Sequence, residues 1–103
     1  MFIELTDETF TGSVSQGLNI VVFYKDQCPF CNAMKKIITK FSQRPAVVGK
    51  TIGYFQINRE TSPKSTEHMD VTRIPAVFVF RDGRKIHAKS GDITYKELER
   101  MIA

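Results

Sequence analysis

Apolar and polar positions follow two different rhythms along this chain. Asn19 is followed by Ile20, Val21, Val22, Phe23 and Tyr24, a continuous apolar run that predicts a strand buried on both faces. Ile37, Ile38 and Phe41 then recur three, four and seven positions after Met34, the stripe of an amphipathic helix. Residues 51–58 and 76–80 supply two more strand-like runs, the first predicted parallel to 19–24. The spacing of Tyr95, Leu98 and Ile102 predicts a closing helix.

Turn and cap residues punctuate this pattern. A first strand is predicted over 2–5. Thr6 is placed to cap a helix with Asp7 and Glu8 in its first turn, running to about residue 16, where Gly17 ends it. The helix after the central strand should stop near Arg44, because Pro45 disfavours a helical residue before it, and 47–50 reads as a connection. Ser62-Pro63 predicts a short helix to about residue 69, with the serine hydroxyl as cap. Asp82-Gly83 predicts a hairpin turn into a return strand over 84–89. Gly91 breaks that strand, and Thr94 with Glu97 forms a capping box. The order βαβαβαββα is that of an α/β fold with a central mixed sheet flanked by helices. At 103 residues, one domain spanning 1–103 is expected.

Composition changes this picture little. Hydrophobic content of 42% and aromatic content of 11% suit one modest core. No run is long enough to span a bilayer. The acidic N-terminal stretch lacks the bases of a secretory signal, so a cytoplasmic location and no membrane partner are expected. The net charge of +4 is too mild to argue nucleic-acid binding, though it favours acidic partners through steering. Lys35, Lys36 and Lys40 read as the solvated face of the helix after the central strand, and His68 and His87 as solvated surface residues.

The chemistry lies in Cys28-Pro29-Phe30-Cys31. Both cysteines fall where the buried strand ends and the helix begins. A helix N-terminus offers unpaired N–H groups and partial positive charge, which favour thiolate over thiol. Pro29 suits the first helical position. A disulfide over so short a loop restrains the unfolded chain little, so the pair reads as redox-active or metal-binding. Structural zinc needs two further ligands, and no metal site is expected.

Cys28-Pro29-Phe30-Cys31 at strand end and helix start, Ile74-Pro75 before a strand, and Gly83 and Gly91 in the closing half resemble the thioredoxin superfamily. The framework is similar to thioredoxin, through the extra first strand and helix. The site, with its aromatic residue between the cysteines and the lead-in Tyr24-Lys25-Asp26-Gln27, is similar to glutaredoxin. Where thioredoxins place a Trp before the first cysteine, this chain has Gln27. Val22 stands at the place of their buried Asp, and Gln56 at the place of the Lys that works with it. Lys36 replaces their helix-kinking Pro, so a straighter helix is expected.

The resemblance implies a thiol–disulfide oxidoreductase. Cys28 is the expected nucleophile, with Lys25 adding positive charge, and Cys31 the less exposed resolving thiol. The Ile74-Pro75 peptide is expected to be cis and to face the cysteines, leaving the Ile74 backbone free to pair with an extended substrate. Arg73 is placed to meet a substrate carboxylate. Pro29, Phe30 and Gly91 complete the expected substrate contacts. Water and Asp26 are the two candidates for deprotonating Cys31. The expected potential lies nearer the glutaredoxin range of about −200 to −230 mV than thioredoxin's roughly −270 mV.

No bound cofactor is expected. Electrons come from a thioredoxin reductase/NADPH system or, alternatively, from glutathione. The expected partners are that donor and disulfide-containing proteins, acting on a monomer. Two non-catalytic readings stand beside this one: an iron–sulfur module built from one cysteine of each of two chains plus glutathione, and a scaffold that needs no thiols.

Overall fold

The central apolar run forms the middle of a five-stranded sheet in the computed structural model, which describes residues 1–103. The elements are β1 (Ile3–Leu5), α1 (Phe10–Ser13), β2 (Leu18–Tyr24), α2 (Pro29–Ser42), α3 (Pro45–Val48), β3 (Ile52–Asn58), α4 (Pro63–His68), β4 (Ala76–Arg81), β5 (Arg84–Ser90) and α5 (Tyr95–Ile102). The strand order is β1-β3-β2-β4-β5. The first three lie parallel to one another, and β4 and β5 join antiparallel. The sheet is therefore mixed, as the order of elements predicts.

β2 is hydrogen-bonded on both edges and covered on both faces, which is why its apolar residues do not alternate with polar ones. Ile20 and Val22 pack with Met34, Ile38 and Phe41 of α2 and with Leu98, Met101 and Ile102 of α5. Val21 and Phe23 face the other layer, with Phe10, Val14, Phe78 and Phe80. Phe10 meets Phe23 and Phe80 edge-on at 6.0 and 5.6 Å between ring centroids. Phe41 is fully buried, and truncating such a side chain to Ala costs about 3–5 kcal/mol.

Four local expectations are corrected. The N-terminal helix shrinks to the four residues of α1. Thr, Ser and Gly dominate 9–15, and their side chains compete with the helical ladder. The Thr6 N–H donates to Thr9 Oγ1 at 2.9 Å, and the Phe10 N–H to the Thr6 carbonyl at 3.0 Å. Asp7 does not serve its own turn. Its carboxylate accepts the N–H of Ser65 at 2.7 Å and of Lys64 at 3.3 Å, and so caps α4. Ser62, the expected cap, is buried and makes no capping bond. The stretch after Arg44 is also not a plain connection. Pro45 occupies the first position of α3, where its fixed φ and missing N–H suit a helix start.

Tyr95 is the fourth correction. It stands exposed at the start of α5, under the Arg44 guanidinium at 4.8 Å, and Met101 takes its expected place on the buried face. The remaining turn chemistry agrees with the sequence. Asp82 and Gly83 have φ of 51° and 84°, the positive pair that a two-residue hairpin turn requires. The Thr94–Glu97 capping box is closed in both directions.

Candidate functional site

β2 delivers the chain to the mouth of α2 through the exposed residues 25–27. Cys28 is the N-cap, extended at φ −121° and ψ 97°, and Pro29 takes the first helical position. The Cys31 N–H donates to Cys28 Sγ at 3.2 Å. Sulfur thus occupies the position where a capping oxygen normally sits. The first turn of α2 carries no acidic residue, so nothing on it offsets the positive end of the helix dipole.

Cys28 and Cys31 are joined as a disulfide with Cα atoms 5.2 Å apart. Cys28 is 7% exposed and Cys31 1%, so both are buried and Cys28 is the more exposed of the two. α2 continues unbroken past Lys36 to Ser42, as expected without the kinking proline.

The Ile74–Pro75 peptide is cis. Pro75 is buried, and its carbonyl accepts the Gly91 N–H at 2.9 Å. Gly91 has φ +87°, a conformation that L side chains rarely adopt. The Ile74 N–H and C=O make no hydrogen bond within the chain. Phe30, Arg73, Ile74, Pro75 and Gly91 line one shallow groove of about 400 Å³. Five of the residues singled out in the sequence therefore meet on one surface. Phe30 is 77% exposed there, the most exposed large apolar side chain of the chain. Lys25 is not part of this groove and makes no side-chain hydrogen bond or ion pair. Asp92 lines the groove and was not anticipated. Its only signal was that it follows Gly91.

Behind the cysteines, Val22 is fully buried and stands in register with Gln56 of β3. Gln56 is not idle. Lys35 Nζ donates to Gln56 Oε1 at 3.0 Å, and Gln56 Nε2 donates to Glu4 Oε1 at 2.8 Å. The Tyr24 hydroxyl donates to the same Glu4 oxygen at 2.6 Å, while Lys35 Nζ lies 4.2 Å from the Tyr24 ring centroid. The four side chains close a ring that ties β1, β2, β3 and α2 together. Burial, and then the Glu4 carboxylate, push the Tyr24 hydroxyl up to about 12, so it stays a donor at neutral pH. Lys35 is thus not a free lysine of the solvated face, whereas Lys36 and Lys40 are exposed.

Asp26 is exposed and accepts the Asn58 side-chain amide at 3.2 Å. His68 and His87 are exposed, as expected.

Comparison with known proteins agrees with this geometry. The family model described as Thioredoxin matches residues 1–103. The thioredoxin of Chlamydia trachomatis is 24% identical over 87 residues, covering 84% of this chain and 81% of that protein. That of Mycoplasmopsis pulmonis is 26% identical over 76 residues, covering 71% and 70%. That of Listeria monocytogenes is 22% identical over 102 residues, covering 99% and 96%. Among solved structures, Malassezia sympodialis thioredoxin (Mala s 13) superposes with a TM-score of 0.80 at 18% identity, over 98% of this chain and 88% of that one. At that identity the likeness speaks for the fold alone.

Proposed function

The chain belongs to the thioredoxin family along its whole length, and on that premise we propose how this thiol–disulfide oxidoreductase divides the work between its two sulfurs. Cys28 is the nucleophile and Cys31 the resolving thiol. In the reduced protein the Cys28 sulfur stays at the N-cap of α2, where the Cys31 N–H and the helix dipole hold it as thiolate. It attacks one sulfur of a substrate disulfide, forming a mixed disulfide and expelling the first substrate thiolate. Cys31 then attacks Cys28. The second substrate thiolate leaves, with the proton Cys31 gives up, and the Cys28–Cys31 disulfide remains. Two electrons have passed from the pair to the substrate.

The observation that carries this reading is the capping sulfur, bonded to its neighbour one turn inside the helix. The groove supplies the docking side. The unpaired Ile74 backbone accepts an extended substrate segment as a short added strand. Phe30, Pro75 and Gly91 line its apolar side, with Pro29 exposed beside Phe30 at the start of α2, and Arg73 is a free cation for a carboxylate on it. Lys25 adds exposed positive charge on the lead-in loop.

The protein works as a single-domain monomer without a resident cofactor, in a reducing compartment such as the cytoplasm. It draws electrons from a thioredoxin reductase/NADPH system. The thioredoxin names of the relatives favour this donor over glutathione. Insulin-disulfide reduction with NADPH and thioredoxin reductase in one tube, and with glutathione, its reductase and NADPH in the other, tests both points. Turnover in the first tube is expected. Turnover in the second alone would assign the donor to glutathione, and turnover in neither would remove the reductase reading.

A further inference from the structure

A second depression lies along α2, apart from the Phe30–Pro75 groove. It spans about 500 Å³, opens widely to solvent, and is lined by Phe2, Asn32, Lys35, Lys36, Thr39 and Lys40, together with Met1. Three of its walls are lysines and none is an acid. Asn32 and Lys36, and then Lys40, follow one another at four-residue steps, so they form one row on the helix surface. α2 contains no acidic residue at all. The two ion pairs of the chain, Arg44–Glu99 and Lys89–Glu97, lie elsewhere. Lys35 is held in place by Gln56 and the Tyr24 ring, so part of this charge is already ordered before anything binds. Glu4 makes no ion pair with Lys35 and is linked to it through Gln56 and through Tyr24.

The depression begins at Asn32, the residue that follows Cys31. From Cys28 to Lys36 the helix advances about 12 Å, the reach of roughly four extended residues. We propose that this lysine-lined groove binds acidic residues flanking the disulfide of a protein substrate, so that the enzyme prefers half-cystines with Asp or Glu within about four positions. The proposal rests on the disulfide-reductase reading and specifies its substrate class. The occupant follows from charge complementarity: three lysines line the groove with no acid among its lining residues, beside the exposed Met1 and the half-buried Phe2.

Turnover of two synthetic peptide disulfides tests it, one with four Glu beside a half-cystine and the other with four Lys. Hydroxyethyl disulfide, which is uncharged and too small to reach the groove, reports the basal reaction. Two charge-reversed proteins are compared with the parent: Lys36→Glu with Lys40→Glu, and Arg81→Glu with Arg84→Glu at the far hairpin. Both change net charge equally. At low ionic strength the parent should prefer the acidic peptide by about tenfold in kcat/KM, the scale of two exposed charge pairs. The far-hairpin protein should keep that preference within about twofold. The groove protein should lose or reverse it, and half-molar salt should shrink it in all cases.

No preference in the parent, or equal loss in both double variants, overturns the proposal, since the latter would mean steering by net charge alone. Should neither the peptide disulfides nor hydroxyethyl disulfide be reduced, the enzymatic reading fails instead. The groove is then judged by fluorescence anisotropy of a labelled, cysteine-free tetraglutamate peptide. Weaker binding to the Lys36→Glu/Lys40→Glu protein than to the far-hairpin protein supports it, and equal binding overturns it.

Discussion

Helices α2 and α5 begin with the same device and use it to opposite ends. Both have an extended N-cap whose side chain accepts the N–H three residues on: Cys28 Sγ from Cys31 at 3.2 Å, and Thr94 Oγ1 from Glu97 at 3.1 Å. In α5 the loop is closed reciprocally. Glu97 accepts the Thr94 N–H at 3.1 Å and also bonds Lys89. The positive helix end is neutralised inside the fold, and the cap serves stability. In α2 the first turn has Pro29, Phe30 and no acid. The same field is left for the capping sulfur, and after reduction for its thiolate. A helix start becomes reactive when its own sequence withholds the carboxylate that would otherwise quench it.

The largest expected effect breaks the contrast at its reactive end. Cys28→Ser keeps a good capping atom, so thermal unfolding should change little from that of the reduced parent, while insulin reduction should fall by about a thousandfold or more. Retained turnover would remove Cys28 from the reaction. At the other end, Thr94→Ala should lower stability by about 1 kcal/mol in denaturant unfolding and leave turnover untouched. An equal loss of activity would show that the two caps are not independent.

A subtler change makes α2 more like α5. Asn32→Asp places an acid near the α2 N-terminus, and should raise the Cys28 thiol pKa by roughly half a unit, the scale of a surface helix-dipole interaction. The pH dependence of iodoacetamide alkylation measures it, and a downward shift would contradict the electrostatic account. The smallest effect concerns Glu97. The hydrogen bond from Lys89 foremost, then the bonds from Thr94, outweigh desolvation and hold its carboxyl below the usual range. A carboxyl depressed in the folded state contributes stability above its unfolded pKa of about 4.3, and loses it as pH falls through the folded value. Acid unfolding of Glu97→Gln should therefore be less steep than that of the parent below about pH 4.5. Identical acid profiles would mean that Lys89 and Glu97 gain nothing from their pairing.

The parts of this protein legible in its sequence are those decided by neighbours along the chain. The placement of Cys28-Pro29-Phe30-Cys31 at a strand end and helix start, the Asp82-Gly83 turn and the Thr94–Glu97 box each need only a few consecutive residues, because caps and turns are closed by short-range hydrogen bonds. The double burial of β2 was readable too, since an unbroken apolar run has no side fit for water. Only the folded chain decided that Asp7 caps α4, across 58 positions to Ser65, and left Ser62 without that role. Only there did Lys35 leave the solvated face for Gln56 of β3, 21 positions on. Pairs so distant in the chain meet because the sheet order β1-β3-β2 sets β3 between β1 and β2, next to the segments that follow them. Local propensity carries no record of such strand order, so it cannot report which distant partner a charged side chain will find.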